Sequence, residues 1–196
     1  MKLLKQVFAY LAATSHYAIT YRGGAVDNLQ KIIKANSDFK TELIEPTTLT
    51  FFKDASFGGE KPMAGHVGFL SGGPTTWQAY RLPLTPLSSC EAEYVAATKA
   101  AISVASLRGI LEFLDMIQTT PTVIFSDNQA AILLSDSNTS SKRMKHIATR
   151  IAFLREQISD GKVLLYHIKT AGQVADIFTK ALNAATFHLL RTVMLR

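Results

Sequence analysis

The sequence predicts an α/β protein in which a mixed five-stranded sheet carries helices on its faces. Three observations support this class: three β-type runs separated by glycine-rich turns, one long alanine-rich helical segment, and two later apolar runs that alternate with helical segments. The resulting order, β-β-β-α-β-α-α-β-α, is typical of a sheet that combines antiparallel and parallel strands. With 196 residues, 47% of them hydrophobic, the chain is long enough to bury a sizeable core.

Residues 1–46 are predicted to be a connecting segment ahead of a sheet-forming domain at 47–196. Apolar residues at helical spacing predict a helix over residues 3–14. Residues 18–21 are of β type and predict a short strand, which a pair of glycines ends. Within 25–46, three aliphatic residues allow one further helix, but the polar remainder leads us to interpret this stretch as a linker.

Three antiparallel strands are predicted at the start of the second part. Residues 48–54 form one β-type run, and residues 65–70 and 75–80 form two more. The intervening sequence SGGP, at residues 71–74, is a turn that joins the last two runs as a hairpin. These three strands therefore form one half of the predicted sheet.

A long helix is predicted from about Cys90 to Met116. Ser88 and Glu91 have the Ser-x-x-Glu spacing of a capping box at its start, and its alanines permit close packing against a sheet. The later elements are a buried strand of parallel type, two helices, a fifth strand and a terminal helix, at residues 122–126, 128–134, 142–158, 162–168 and 174–196.

Composition excludes several classes of protein. The apolar content excludes a disordered tail, and the single cysteine, Cys90, excludes an intrachain disulfide and a cysteine-rich zinc cluster. The net charge of +6 favours a polyanionic partner. The uncharged run at residues 6–21 is too short and too polar to span a bilayer, so no membrane partner is expected. We interpret the start of the chain as an amphipathic helix rather than a cleaved secretion signal.

Four carboxylates stand beside predicted strand ends or helix starts: Asp54, Glu93, Asp127 and Asp176. In a mixed sheet, strand ends and the helix starts that follow them can converge on one crevice. Four carboxylates in one crevice repel each other and need cations, and ligands that are all oxygen suit Mg²⁺ or Mn²⁺ rather than zinc. Each residue could instead act only as a helix cap or a solvated turn residue, and spacing alone leaves both interpretations open.

Several motifs follow one another in a specific order within residues 47–196. They are KDASFGG (53–59), GHVGFLSGGP (65–74), LSSCEAEYVAA (87–97), SDNQAA (126–131), KHI (145–147) and QVADIFTK (173–180). Together they resemble the ribonuclease H domain at the C-terminal end of the Pol polyprotein of copia-type (Ty1/copia) LTR retrotransposons. Residues 3–21 also resemble the segment that joins the reverse transcriptase to this domain in that family.

The resemblance implies a ribonuclease H-like fold and endonucleolytic cleavage of the RNA strand of an RNA–DNA hybrid. It implies that Asp54, Glu93, Asp127 and Asp176 bind two Mg²⁺ ions, with Mn²⁺ as a substitute. Asp54 would bridge both ions, Asp176 would help to hold the water-activating ion, and Glu93 with Asp127 would hold the leaving-group ion. Glu91, in the same motif as Glu93, is assigned to the capping box instead.

The resemblance also implies partners and a location. The partners are an RNA–DNA hybrid and a reverse transcriptase module, in cis or in trans, and the location is intracellular, either cytoplasmic in a retrotransposon particle or nuclear. Candidate contacts to nucleic acid are Ser89, Asn128, Gln129, Lys145, His146 and Arg150. The basic run around His146 could equally be a solvated helix face. The alternative function is that of a catalytically silent retrotransposon remnant that binds nucleic acid or packs against a polymerase.

Overall fold

The structure is a computed structural model that describes residues 2–21, 26–58, 62–82, 86–136 and 147–195. Its strands are β1 (Thr50–Ala55), β2 (Met63–Leu70), β3 (Gly73–Arg81), β4 (Thr122–Ser126) and β5 (Val163–His167). They form one sheet in the order β3-β2-β1-β4-β5. β2 is antiparallel to both β1 and β3, whereas β4 is parallel to both β1 and β5. The predicted mixed five-stranded sheet is confirmed.

Helices cover both faces of this sheet. Those in the described ranges are α1 (Lys2–Ala13), α2 (Val26–Asn36), α3 (Ser89–Phe113), α4 (Gln129–Asp136), α5 (Ala148–Ser159) and α6 (Ala184–Met194). Side chains alternate along the central strand β1, so Phe51 and Phe52 face opposite sides. Phe51 packs in a core with α3 and α5, and Phe52 packs in a second core with Ile33 of α2 and Leu190 of α6.

Helix α3 begins as its capping box predicts. The Ser88 hydroxyl accepts a hydrogen bond from the N–H of Glu91 (3.2 Å), and the Glu91 carboxylate accepts one from the N–H of Leu87 (2.9 Å). By length and composition alone α3 is apolar enough to cross a membrane, but half of its apolar stretch is buried inside this fold. Its buried alanines pack against the sheet, so α3 is a core helix of this domain.

The strand predicted for residues 18–21 is wrong. The Tyr21 hydroxyl donates a hydrogen bond to the carbonyl of Pro74 (2.7 Å), and the Tyr21 ring lies against Gly73. A strand needs backbone pairing with a neighbour, whereas an aromatic side chain holds this segment on the fold.

The interpretation of residues 25–46 as a linker is also corrected. Helix α2 lies in this stretch and buries Val26, Leu29, Ile32 and Ile33 in the core that contains Phe52. The apolar residues recur at helical spacing, so they form one stripe that the sheet can cover. The segment is part of the packed structure, and the boundary predicted at residue 46 stays a prediction.

The helix predicted from residue 174 to the end of the chain is interrupted. Val174–Phe178 is a short 3₁₀ helix, and α6 begins only at Ala184. The Asn183 side chain accepts a hydrogen bond from the N–H of Thr186 (2.9 Å), and such an asparagine cap starts a new helix. The helix predicted for 142–158 is described from residue 148 onward, and residues 142–146 lie outside the described residues.

Candidate active site

Three of the four predicted carboxylates come together at one edge of the sheet. Asp54 lies near the carboxyl end of β1, and Asp127 directly follows β4, which is the parallel neighbour of β1. Asp176 lies in the 3₁₀ helix Val174–Phe178, beyond β5. One carboxylate oxygen from each residue lies within 4.8 Å of the other two. Adjacent parallel strands thus place two of these side chains, and the 3₁₀ helix adds the third.

The 3₁₀ helix that carries Asp176 is held by two features that the sequence interpretation missed. The side chain of Gln173 accepts a hydrogen bond from the N–H of Ala175 (3.3 Å) and donates one to the carbonyl of Phe125 in β4 (3.4 Å). Gly65 of β2 lets the helix approach, because a Cβ there would lie 2.5 Å from the Cβ of Phe178. Neither signal is visible without knowing which elements are neighbours.

Hydroxyl groups and a lysine surround the three aspartates. Thr179 donates a short hydrogen bond to Asp54, and Thr170 donates one to Asp127 (3.0 Å). The Lys180 ammonium lies 2.9 Å from Asp176 and 3.6 Å from Asp54. Thr179 and Lys180 belong to the QVADIFTK motif, but the sequence interpretation assigned them no role. The cluster therefore holds one positive charge of its own.

Burial dominates the electrostatics of the cluster. It raises the pKa of Asp176 to about 7, an effect that Lys180 opposes and that the charges of Asp54 and Asp127 reinforce. Burial by itself would lower the pKa of Lys180, but its hydrogen bond to Asp176 and the neighbouring carboxylates give a net rise. Three carboxylates at this separation therefore favour the arrival of a further cation.

Glu93 reaches the same place from α3, but it is engaged by a lysine. One carboxylate oxygen accepts a short hydrogen bond from Lys53, and the other accepts the N–H of Ala55 (3.3 Å). Lys53 is fully buried, and its ammonium also donates to the carbonyl oxygen of Glu93 (3.3 Å). Burial raises the pKa of Glu93, and the Lys53 charge lowers it. This buried ion pair was not expected from the sequence.

A cavity of about 470 Å³ lies over these residues. Among the predicted nucleic-acid contacts, Ser89, Asn128 and Gln129 line it together with Asp54, Glu93 and Asp127. Lys180 and His167 also line it, although His167 was not a candidate.

The other predicted nucleic-acid contacts are placed differently. Arg150 lies on α5, where its carbonyl accepts a hydrogen bond from Thr98 of α3 (3.3 Å), and it is not among the cavity-lining residues. Lys145 and His146 lie outside the described residues. The assignment of all six residues to nucleic-acid binding stays a prediction.

The donor set suits a hard divalent cation. Asp54, Asp127 and Asp176 offer only oxygen atoms, which Mg²⁺, Ca²⁺ and Mn²⁺ prefer, whereas zinc sites use nitrogen and sulfur ligands. The residues present therefore fit the predicted Mg²⁺ at the aspartate trio. Glu93 lines the same cavity, but its carboxylate is engaged by Lys53.

Curated relatives of the chain are transposon polyproteins. The chain is 27% identical over 192 residues to the retrovirus-related Pol polyprotein from transposon RE1 of Arabidopsis thaliana, a match that covers 96% of this chain and 12% of that protein. It is 31% identical over 147 residues to the corresponding polyprotein from transposon TNT 1-94 of Nicotiana tabacum. This match covers 73% of this chain and 11% of that protein. The chain thus spans about a tenth of the length of these relatives. No protein-family model matches it.

Solved structures with a similar fold are ribonucleases H. LC11-RNase H1, in a crystal structure with an RNA/DNA hybrid, matches with a TM-score of 0.50 and 14% identity, over 67% of this chain and 94% of that one. RNase H1 of the archaeon Halobacterium salinarum matches with a TM-score of 0.51 and 14% identity over the same shares. At this identity the likeness shows the fold. The predicted ribonuclease H-like fold and the resemblance to Ty1/copia-type Pol polyproteins are both confirmed.

Proposed function

We propose that this relative of Ty1/copia-type Pol polyproteins, which has the ribonuclease H fold, cleaves the RNA strand of RNA–DNA hybrids during reverse transcription. The observation that carries the proposal is the trio Asp54, Asp127 and Asp176, whose carboxylate oxygens lie within 4.8 Å of one another beside a cavity. Acidic groups at this separation, two of which are buried, cost free energy unless cations neutralise them, which argues for a metal-dependent site rather than a structural one.

The proposed substrate agrees with the charge and the surroundings of the cavity. A phosphodiester backbone is polyanionic, and the chain carries a net charge of +6. Ser89, Asn128 and Gln129 offer hydroxyl and amide groups at the cavity, and such groups can bind the 2′-hydroxyls that distinguish RNA from DNA. The fold neighbour LC11-RNase H1, which was solved with an RNA/DNA hybrid, supports this choice of substrate.

The proposed mechanism uses divalent ions, with Mg²⁺ as the cofactor and Mn²⁺ as a substitute. When bound, the ions would neutralise charge on the phosphodiester and lower the pKa of the attacking water. In the proposed arrangement with two ions, Asp54 would contribute to holding both ions, Asp176 would help to hold the water-activating ion, and Glu93 and Asp127 would hold the leaving-group ion. The products would be a 3′-hydroxyl and a 5′-phosphate.

Side chains around the carboxylates orient them for this role. Thr179 holds Asp54 and Thr170 holds Asp127, so each hydroxyl fixes one carboxylate in place. Lys180 neutralises part of the charge of Asp54 and Asp176 while no divalent ion is bound. The two hydroxyl contacts reduce the reorganisation that ion binding requires.

We further propose a reverse transcriptase module as the partner, in cis or in trans. The relatives are Pol polyproteins, and the chain corresponds to about a tenth of their length. A polymerase that holds the same hybrid would raise its effective concentration at this cavity. The site would then act where reverse transcription takes place, in a cytoplasmic retrotransposon particle or in the nucleus.

The alternative is a catalytically silent remnant, and the Lys53–Glu93 ion pair is the observation that favours it, because it engages one predicted ligand. The decisive experiment incubates residues 1–196 with an end-labelled RNA–DNA hybrid in Mg²⁺, in Mn²⁺ and in EDTA, with double-stranded DNA as the control substrate. We expect ion-dependent cleavage of the RNA strand alone. A folded protein that cleaves nothing in either ion would refute the proposal and support the remnant.

A further inference from the structure

We infer that Lys53 acts as a resident cation that engages Glu93 and weakens the second of the two proposed ion sites. The aspartate trio then remains as the one tight site for a divalent ion. This inference deepens the proposed function and rests on it, because it concerns the ions of the same cavity. It follows from three contacts between β1 and the first turns of α3.

Both carboxylate oxygens of Glu93 already have partners. One accepts the ammonium of Lys53 and the other accepts the N–H of Ala55 (3.3 Å). Lys53 in turn makes a second hydrogen bond to the same residue, at the Glu93 carbonyl (3.3 Å). A divalent ion that uses Glu93 must therefore replace at least one of these contacts.

The burial of Lys53 makes that replacement unfavourable. Lys53 has no exposed surface, so its ammonium has no water to move into when a divalent ion arrives. If the lysine stays, it repels the ion across the shared carboxylate. If it is displaced, it becomes an unpaired buried charge, which is strongly destabilising.

The second lysine of the site, Lys180, differs from Lys53 because it is partly exposed to water. Lys180 pairs with Asp54 and Asp176, but its side chain is 38% exposed. A lysine with a partly exposed stem can turn its ammonium into water when a stronger cation binds. The trio can therefore exchange Lys180 for a divalent ion, whereas Glu93 cannot readily exchange Lys53.

The test counts bound ions without any substrate. Mn²⁺ is titrated into the protein of residues 1–196, and electron paramagnetic resonance measures the concentration of the free ion. The titration is done with the wild type, with Lys53→Met and with the double variant Lys53→Met/Glu93→Gln. Lys162→Met is the matched control, because Lys162 pairs with Asp160 on the surface (3.0 Å). Its loss removes the same charge at the amino end of β5, whereas the aspartates lie at the carboxyl ends of the parallel strands.

In the wild type we expect one Mn²⁺ to bind at least tenfold more tightly than the second. Lys53→Met should raise the affinity for the second Mn²⁺ at least tenfold. The double variant and Lys162→Met should leave that affinity unchanged. If Lys53→Met folds only when Mn²⁺ is present, the ion has taken the place of Lys53, which supports the inference.

Two results would overturn it: two Mn²⁺ ions bound with equal affinity by the wild type, or a second ion that Lys53→Met leaves unchanged. The outcome is independent of cleavage. A wild type with one tight ion and no hybrid cleavage would uphold this inference and refute the proposed function.

Discussion

Each aspartate of the trio has a polar side chain as a partner, and two of the three, Asp54 and Asp176, are buried, whereas Asp127 is half-buried. Asp54 is paired with Thr179 and Asp127 with Thr170, so residues far apart in sequence determine where the oxygens lie. Burial raises the pKa of Asp176 to about 7. Two predictions at the scale of single residues follow from this arrangement.

Substitution Asp127→Asn should abolish hybrid cleavage and leave the metal-free protein at least as stable as the wild type. The amide can still accept the hydrogen bond from Thr170, and the loss of one negative charge relieves repulsion with Asp54 and Asp176. Thermal denaturation in EDTA measures the stability of the metal-free protein, and an assay in Mg²⁺ measures hybrid cleavage. An Asp127→Asn protein with wild-type turnover would end the assignment of this residue to the site.

The contribution of Asp176 to the stability of the metal-free protein should fall as the pH rises from about 4 to about 7. Burial raises the pKa of Asp176 from 3.8 to about 7, so in this window the folded protein keeps a proton that the unfolded chain has released. The contribution of Asp176 to the unfolding free energy therefore falls with pH, by at most about 4 kcal/mol at about 1.36 kcal/mol per pKa unit.

The control for this pH effect is Asp176→Asn, which cannot titrate. Burial also lowers the pKa of His66 to about 4, which favours stability at higher pH, but His66 is present in both proteins. The difference between the two denaturant curves in EDTA isolates Asp176. A difference that stays constant across the window would contradict the prediction.

At the scale of elements, strand β1 serves two sides of the site because its side chains alternate. Lys53 points toward α3 and engages Glu93, while Asp54 points toward the 3₁₀ helix that carries Asp176. The 3₁₀ helix is close to the sheet only because Gly65 of β2 has no side chain there. The position of Asp176 therefore depends on the packing of β2 as well as on its own helix.

Substitution Gly65→Ala should displace the 3₁₀ helix and weaken Mn²⁺ binding at the trio. The new Cβ would lie 2.5 Å from the Cβ of Phe178 and 3.0 Å from the carbonyl oxygen of Gln78. Overpacking of this kind costs about 1–3 kcal/mol of unfolding free energy. Denaturant unfolding and a Mn²⁺ titration give the two readouts.

The matched control is Gly109→Ala in α3, where an added Cβ meets nothing within 4 Å. There the helix propensity of alanine should add up to about 1 kcal/mol without any change in Mn²⁺ affinity. If Gly65→Ala bound Mn²⁺ as tightly as Gly109→Ala, the supporting role of Gly65 would be disproved.

At the scale of the whole molecule, distant parts of the chain complete one structure. Helices α2 and α6 cover the face of the sheet that contains Phe52, and α3 and α5 cover the opposite face. Helix α1, by contrast, exposes its apolar residues, among them Leu3 and Phe8. The two helices of the N-terminal segment therefore contribute very differently to stability.

Deletion of residues 1–46 should destabilise the protein far more than deletion of residues 1–13. The longer deletion removes Val26, Leu29, Ile32 and Ile33 from the core, at about 1.5–3 kcal/mol for each buried aliphatic side chain. That total is comparable to the stability of a typical domain. Circular dichroism melts of 1–196, 14–196 and 47–196 measure the effect, and a 47–196 protein as stable as 14–196 would show that α2 is dispensable.

The sequence by itself determined the class of fold, the element order and three of the residues that meet in the site. Hydrophobic patterning is local, so it located the sheet strands, and the equally local Ser-x-x-Glu spacing located the start of α3 at Ser88. Asp54 and Asp127 could be proposed because they stand at the ends of strands, where parallel neighbours bring side chains together. The errors at residues 18–21 and 25–46 have a common cause, since periodicity does not reveal which surface a segment will pack against.

Only the tertiary structure decided how the site is completed. The contacts of Lys53 with Glu93 and of Thr179 with Asp54 join residues 40 and 125 positions apart, and no local pattern encodes such pairs. The same holds for Gly65, whose missing side chain matters only because Phe178 packs against it. Long-range packing sets which charges share a buried space, and that sharing decides whether a carboxylate is free for a metal ion or already engaged by a lysine.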